Sequence, residues 1–135
     1  ELENEYSFDD KNKVIFNYTN QHTKKSGVLS YDTIGLNNEL DYSTRHKIGI
    51  TYLHDAGPWS IRYGINYVSS QKEAWSGTLQ EIGGYTVHNV GFTYKTTKKS
   101  TLSLYMDNIF DKEYAMQYDY PMSGRLTSIV FTQEI

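Results

Sequence analysis

The chain has 135 residues, enough for one domain at most, with 13 basic and 16 acidic residues for a net charge of −3, and no cysteine. The charge balance argues against a nucleic-acid binder, which normally carries a basic stripe. The lack of cysteine excludes disulfides and thiolate metal sites, and no run of about 18 apolar residues could form a transmembrane helix.

The chain opens on Glu1, Leu2, Glu3 and Asn4, with neither an initiator methionine nor a signal peptide. Either a leader was removed or this is a piece of a longer protein. Residues 2–8 read as the tail of a strand, followed by the turn Asp9-Asp10-Lys11-Asn12. Val14, Phe16 and Tyr18 then alternate with Asn17 and Thr19, while Ile15 breaks the pattern. Ile48, Ile50 and Tyr52 alternate with Lys47, Gly49 and Thr51. The turn Asp55-Ala56-Gly57-Pro58 leads into the clearest strand. There Trp59, Ile61, Tyr63, Ile65 and Tyr67 fall on one face, and Ser60, Arg62, Gly64 and Asn66 on the other. A helix would scatter these residues; a strand sorts them. Val90, Phe92 and Tyr94 alternate with Gly91 and Thr93, Lys98-Lys99-Ser100 turns the chain, and Leu102, Leu104 and Met106 oppose Ser103, Tyr105 and Asp107. The last strand spans residues 125–135, with Ile129, Phe131 and Ile135 on one face.

This pattern predicts an all-β, antiparallel chain of seven to eight strands and no helix. Short connections near residues 9–12, 55–58 and 97–100 alternate with long ones near 25–43, 72–83 and 111–123. Transmembrane barrels show this asymmetry, with tight periplasmic turns and longer external loops. The predicted strands, roughly 10–13 residues, exceed the 5–6 typical of soluble sheets. The 13 tyrosines suit a surface that is apolar on one side and wet on the other. A face carrying Arg62 and Asn66 fits a hydrated lumen or a plug-facing wall. Period alone leaves a soluble β-sandwich or ligand-binding β-barrel open.

The final fifty residues carry a more specific pattern. The stretch from Gly84 through Tyr85, Val87, Asn89 and Gly91 to Tyr94 resembles the third-last strand of TonB-dependent outer-membrane receptors. Leu102 to Tyr114, ending in Asn108-Ile109-Phe110-Asp111-Lys112-Glu113-Tyr114, is similar to that family's penultimate strand. Pro121-Met122-Ser123-Gly124-Arg125 resembles the Pro-x-x-Gly-Arg that opens its last strand. Residues 1–83 agree only in style. The resemblance implies that residues 1–135 are the C-terminal segment of a transmembrane β-barrel in the bacterial outer membrane, without the plug domain. It also implies energised import of a metal chelate, most often a ferric siderophore or haem, with cobalamin, nickel chelates and sugars also known. The implied partners are TonB and the inner-membrane energising complex, acting through the plug, together with lipid and lipopolysaccharide. A small autonomous outer-membrane barrel with a structural or adhesive role is the alternative.

The motif residues Asn108, Phe110, Asp111, Tyr114, Pro121, Gly124 and Arg125 are expected to be structural. Asn108 and Asp111 would cap backbone groups, Gly124 would permit a tight bend, and Arg125 would pair with Asp107 or Asp111. Barrels of this kind usually end in an aromatic residue, where Ile135 stands here. The aromatics Tyr31, Trp75, Tyr118 and Tyr120, in or beside the long loops, are the candidate ligand contacts. His22, His46, His54 and His88 lack metal-ligand spacing, so no metal site and no cofactor are expected. No nucleophile elbow, phosphate loop or carboxylate pair across a cleft is visible, so no enzyme is expected.

Overall fold

A computed structural model describes residues 1–24, 40–76 and 78–134. Eleven strands run in order: β1 (Leu2–Ser7), β2 (Asn12–Asn20), β3 (His46–Asp55), β4 (Trp59–Val68), β5 (Gln71–Trp75), β6 (Thr78–Ile82), β7 (Tyr85–Thr97), β8 (Ser100–Asp107), β9 (Ala115–Gln117), β10 (Tyr120–Pro121) and β11 (Leu126–Gln133). There is no helix among the described residues. Seven strands form one antiparallel sheet in the order β1-β2-β3-β4-β7-β8-β11. This is the up-and-down path in which each strand pairs with the next one of the wall.

The short turns are built from local chemistry. Asp9 Oδ1 accepts from the backbone N–H of both Lys11 and Asn12, at 2.8 Å each. These bonds, and first of all the Asn12 side-chain amide, hold the Asp9 carboxyl below its usual pKa. At the β3–β4 turn Gly57 has φ 78°, a left-handed conformation that glycine adopts without steric cost. Its N–H donates to Asp55 Oδ1.

The long connections are more ordered than the sequence pattern suggests. Residues 72–83 belong mostly to the β5–β6 hairpin, and residues 111–123 hold the short β9–β10 pair. Neither has the apolar alternation of a wall strand: the hairpin buries two polar residues, Gln71 and Glu73, beside Ile82, and the β9–β10 pair is largely exposed. Ile135 lies outside the described residues.

The register carries the alternation across the whole sheet. One row runs Tyr6, Val14, Tyr52, Tyr63, Val90 and Met106. A second runs His54, Ile61, Phe92, Leu104 and Ile129. The row between them holds Lys13, Leu53, Arg62, Gly91 and Tyr105. One face is therefore mainly aromatic and aliphatic, and the other mainly polar and small.

Neither face is sealed. Among the described residues the buried hydrophobics are Ile82 and Val87. Tyr67, Phe92, Tyr94, Leu102, Leu104 and Phe131 are exposed, and Ile129 keeps 72% of its surface. A soluble sandwich or barrel of this length would bury such a face as its core. Here its large apolar side chains stay exposed, the kind of surface that marks an interaction or membrane face.

Candidate functional site

The polar face is hollow. Thr51, Arg62, Gly64, Asn66, Gly91 and Tyr105 line a concave space of about 370 Å³ that crosses β3, β4, β7 and β8. Small residues make room for it. A Cβ on Gly91 would stand 3.1 Å from a ring carbon of Tyr105, so the tyrosine lies over the glycine rather than beside it. Arg62 and Asn66 are both exposed on this face, two residues to either side of Gly64.

At the long-loop end of the same face lies a larger cavity of about 710 Å³. Its floor is the row Lys47, Val68 and Tyr85, three neighbours in register on β3, β4 and β7. Its walls are the segment before β3 (Tyr42, Thr44), the start of β5 (Gln71) and the β9–β10 pair with the residue that follows it (Met116, Tyr120, Met122). Aromatic and thioether groups with one ammonium and two amides, Gln71 and Gln117, can hold a flat or anionic ligand.

The three walls are tied to one another by β5. The Glu73 carboxylate, 2% exposed, accepts from the Tyr42 hydroxyl through one oxygen and from the Tyr118 N–H at 3.0 Å through the other. Donating to this carboxylate holds the Tyr42 phenol above its usual pKa, so it remains a donor throughout the neutral range. Gln71 Nε2 donates to the Met116 carbonyl at 2.6 Å, and the Ala74 N–H donates to Asp41 Oδ1 at 3.2 Å. Glu73, Gln71 and Tyr42 were not legible as site residues. Their only signal in sequence is two polar residues spaced by two, Gln71 and Glu73, in a segment that reads as loop.

Of the aromatics proposed from sequence, Tyr120 lines the cavity, whereas Tyr118 does not and is tied through its backbone N–H to Glu73. Trp75 closes β5, and its side chain lies outside the description. Tyr31 lies outside the described residues.

The motif residues cluster where β8 leaves the sheet. The Asn108 side chain, 4% exposed, donates through Nδ2 to the Lys112 carbonyl and accepts the Lys112 N–H through Oδ1, each at 2.9 Å. Its backbone N–H donates to Asn89 Oδ1. Phe110 packs edge-on against His88, and Tyr114 lies 4.4 Å from Tyr85 between ring centres. Pro121 sits in β10, and the next residue's N–H bonds the Tyr114 carbonyl.

Two details differ from the sequence reading. Arg125 meets Asp111 through its backbone N–H, at 2.7 Å from Oδ1, where the residue type had suggested a guanidinium pair. Gly124 is required by space rather than by a bend. Among the described glycines only Gly57 has positive φ, whereas a Cβ on Gly124 would stand 2.5 Å from Asp111 Oδ1. The same carboxylate oxygen thus sets both neighbours.

The histidines are also engaged. Tyr18 and Tyr63 hydroxyls bond His46 and His88 Nδ1, at 2.9 and 2.7 Å, and Asn12 Oδ1 joins Tyr52 and His54. Among the described residues no group of histidines and carboxylates could hold a metal ion.

A family model described as TonB dependent receptor-like, beta-barrel matches residues 1–109. A comparison with curated proteins finds no match. Among solved structures, a mutant ferric enterobactin receptor (PfeA) of Pseudomonas aeruginosa superposes with TM-score 0.76 and 18% identity, over 97% of this chain and 21% of that one. The ferric-catecholate import receptor Fiu of E. coli K12, closed form, gives 0.75 and 20%, over 93% of this chain and 19% of that one. The siderophore receptor PiuA of Acinetobacter baumannii gives 0.74 and 17%, over 96% and 20%. This chain thus spans about a fifth of the length of these receptors.

Proposed function

The chain belongs to the TonB-dependent receptor β-barrel family, and from that premise we propose that it is a stretch of barrel wall in an outer-membrane transporter that imports a metal chelate, a ferric siderophore ahead of haem. The observation that carries this reading is the two-faced sheet. Its apolar surface is fit to meet lipid, and its hollow polar surface ends in a cavity walled by the long loops. The named ligands of the superposable receptors, ferric enterobactin and ferric catecholates, favour siderophores. A copper transporter, OprC, superposes with TM-score 0.69, so iron is a preference of this reading and not its only outcome.

In this reading the long loops face the cell exterior. The Lys47 ammonium at the cavity floor attracts an anionic chelate, and Tyr42, Tyr85 and Tyr120 offer ring faces to planar ligand groups. Arg62 and Asn66, further down the hollow face, keep the wall hydrated where a plug would pass. Energy comes from the inner-membrane complex through TonB acting on a plug that this segment does not contain. Lipid and lipopolysaccharide cover the apolar face, nucleic acid is no partner, and the segment has no catalytic role.

Uptake of radioiron supplied as a ferric catecholate tests this. The receptor containing this segment is expressed in cells stripped of their own siderophore receptors. Uptake should appear with the receptor and collapse with a protonophore or on deletion of TonB. Uptake that survives both treatments, or never appears while the receptor is folded in the outer membrane, sinks the proposal.

A further inference from the structure

We infer that Glu73 is a positioning residue that holds the three cavity walls in their receptive arrangement and so sets ligand affinity. The inference rests on the transport reading above.

The carboxylate sits in a costly place. It is 2% exposed, and its two bonded partners are a hydroxyl and a backbone N–H. A buried carboxylate needs such bonds merely to offset desolvation, so an apolar residue would serve as well for packing alone. What an apolar residue could not do is join two other loops. Tyr42 lies 31 residues earlier in the chain and Tyr118 lies 45 residues later, and neither belongs to the β5–β6 hairpin that carries Glu73. Two further ties leave the same strand in the same two directions. Gln71 bonds the Met116 carbonyl, and the Ala74 N–H bonds Asp41. Tyr42, Gln71, Met116 and Tyr120 then all line the cavity. Its shape is therefore set by a strand whose polar bonds point outward to both neighbours, with Glu73 at the centre. Walls held in advance spare the ligand the cost of ordering them.

The test uses the full-length receptor carrying Glu73→Gln or Tyr42→Phe. The glutamine can still accept from one partner but offers an NH₂ group to the other. The phenylalanine keeps the ring and removes one bond. The KM and the maximal rate of ferric-catecholate uptake are measured together with amide exchange at Ala74 and Tyr118. Heat-modifiability on gels reports whether the barrel is folded. The expected result is faster exchange at both amides and a KM raised about tenfold, as loss of one hydrogen bond to a charged acceptor implies. Maximal rate and barrel folding should not change. If the wild type transports and both variants keep its KM, Glu73 has no positioning role and the transport reading stands. A fall in maximal rate or membrane level at constant KM likewise assigns Glu73 to folding alone and overturns the inference. A folded wild type that takes up no ferric catecholate overturns the transport reading and this role with it, whatever the exchange rates do.

Discussion

Asn108 does for Lys112 what a neighbouring strand would do, offering one donor and one acceptor to a backbone that has just left the sheet. Its φ of 49° lies in the left-handed region, which asparagine tolerates better than most residues. Buried at 4% exposure, it has no water to replace those bonds. Asn108→Ala should therefore destabilise the barrel by about 1–3 kcal/mol, through the loss of two bonds from a buried side chain to the Lys112 backbone and the cost of positive φ. Asn108→Gly removes the bonds but relieves the φ term, so it should fall between alanine and wild type. Unfolding midpoints in detergent micelles measure both, and an alanine variant equal to wild type would refute the account. Asp111 works at the same scale. One oxygen accepts the Arg125 N–H and occupies the space a side chain at 124 would need, which accounts for the glycine by contact, while the bond at 125 is made by the backbone and does not call for an arginine.

At the scale of the strand, alternation is the governing fact. A ten-residue strand such as β3 rises about 31 Å. At a tilt of about 40° it would cover roughly 24 Å of height, close to the 25 Å apolar band of membrane barrels. Tyr, His and Trp side chains mark its ends. The Tyr18–His46 bond lies at the long-loop end, and His54 packs against Trp59 at the turn end, with ring centres 5.1 Å apart. Between them Ile50 pairs with Ile65. Charge placed on the two faces of β4 should then have opposite outcomes. Ile65→Arg puts a guanidinium among acyl chains and should cost about 2–4 kcal/mol of folding free energy in lipid vesicles, whereas Asn66→Arg, one residue on, should cost close to nothing. Equal effects at the two positions would mean that the faces are assigned wrongly.

Among the described residues the sheet has two open edges. β1 pairs with β2 alone and β11 with β8 alone. Lipid cannot satisfy the backbone groups of an open edge, so this wall is complete only when further strands close it. Combined with an apolar face that has no core to enter, this predicts how the isolated chain behaves. In detergent-free buffer it should self-associate, and circular dichroism should report ordered β-structure only once detergent or lipid is present. A monodisperse, folded monomer in plain buffer would restore the soluble β-barrel that period alone left open.

The sequence by itself determined the wall. Side chains in a strand alternate by covalent geometry, so the choice of large apolar residues at every second position fixed which segments are strands and which way each one faces. Turn chemistry at Asp9, Gly57 and Lys98 is equally local, and the spacing from Asn108 to Tyr114 and from Pro121 to Arg125 was enough to suggest the family that the later comparison supports over residues 1–109. Only the tertiary structure decided what happens above the wall. The bonds that leave the β5–β6 hairpin from Gln71 and Glu73 join residues 31 to 45 positions apart, and the meeting of Tyr42, Gln71 and Tyr120 around one cavity spans more. Such contacts depend on where loops come to rest, and no periodicity in the chain records that.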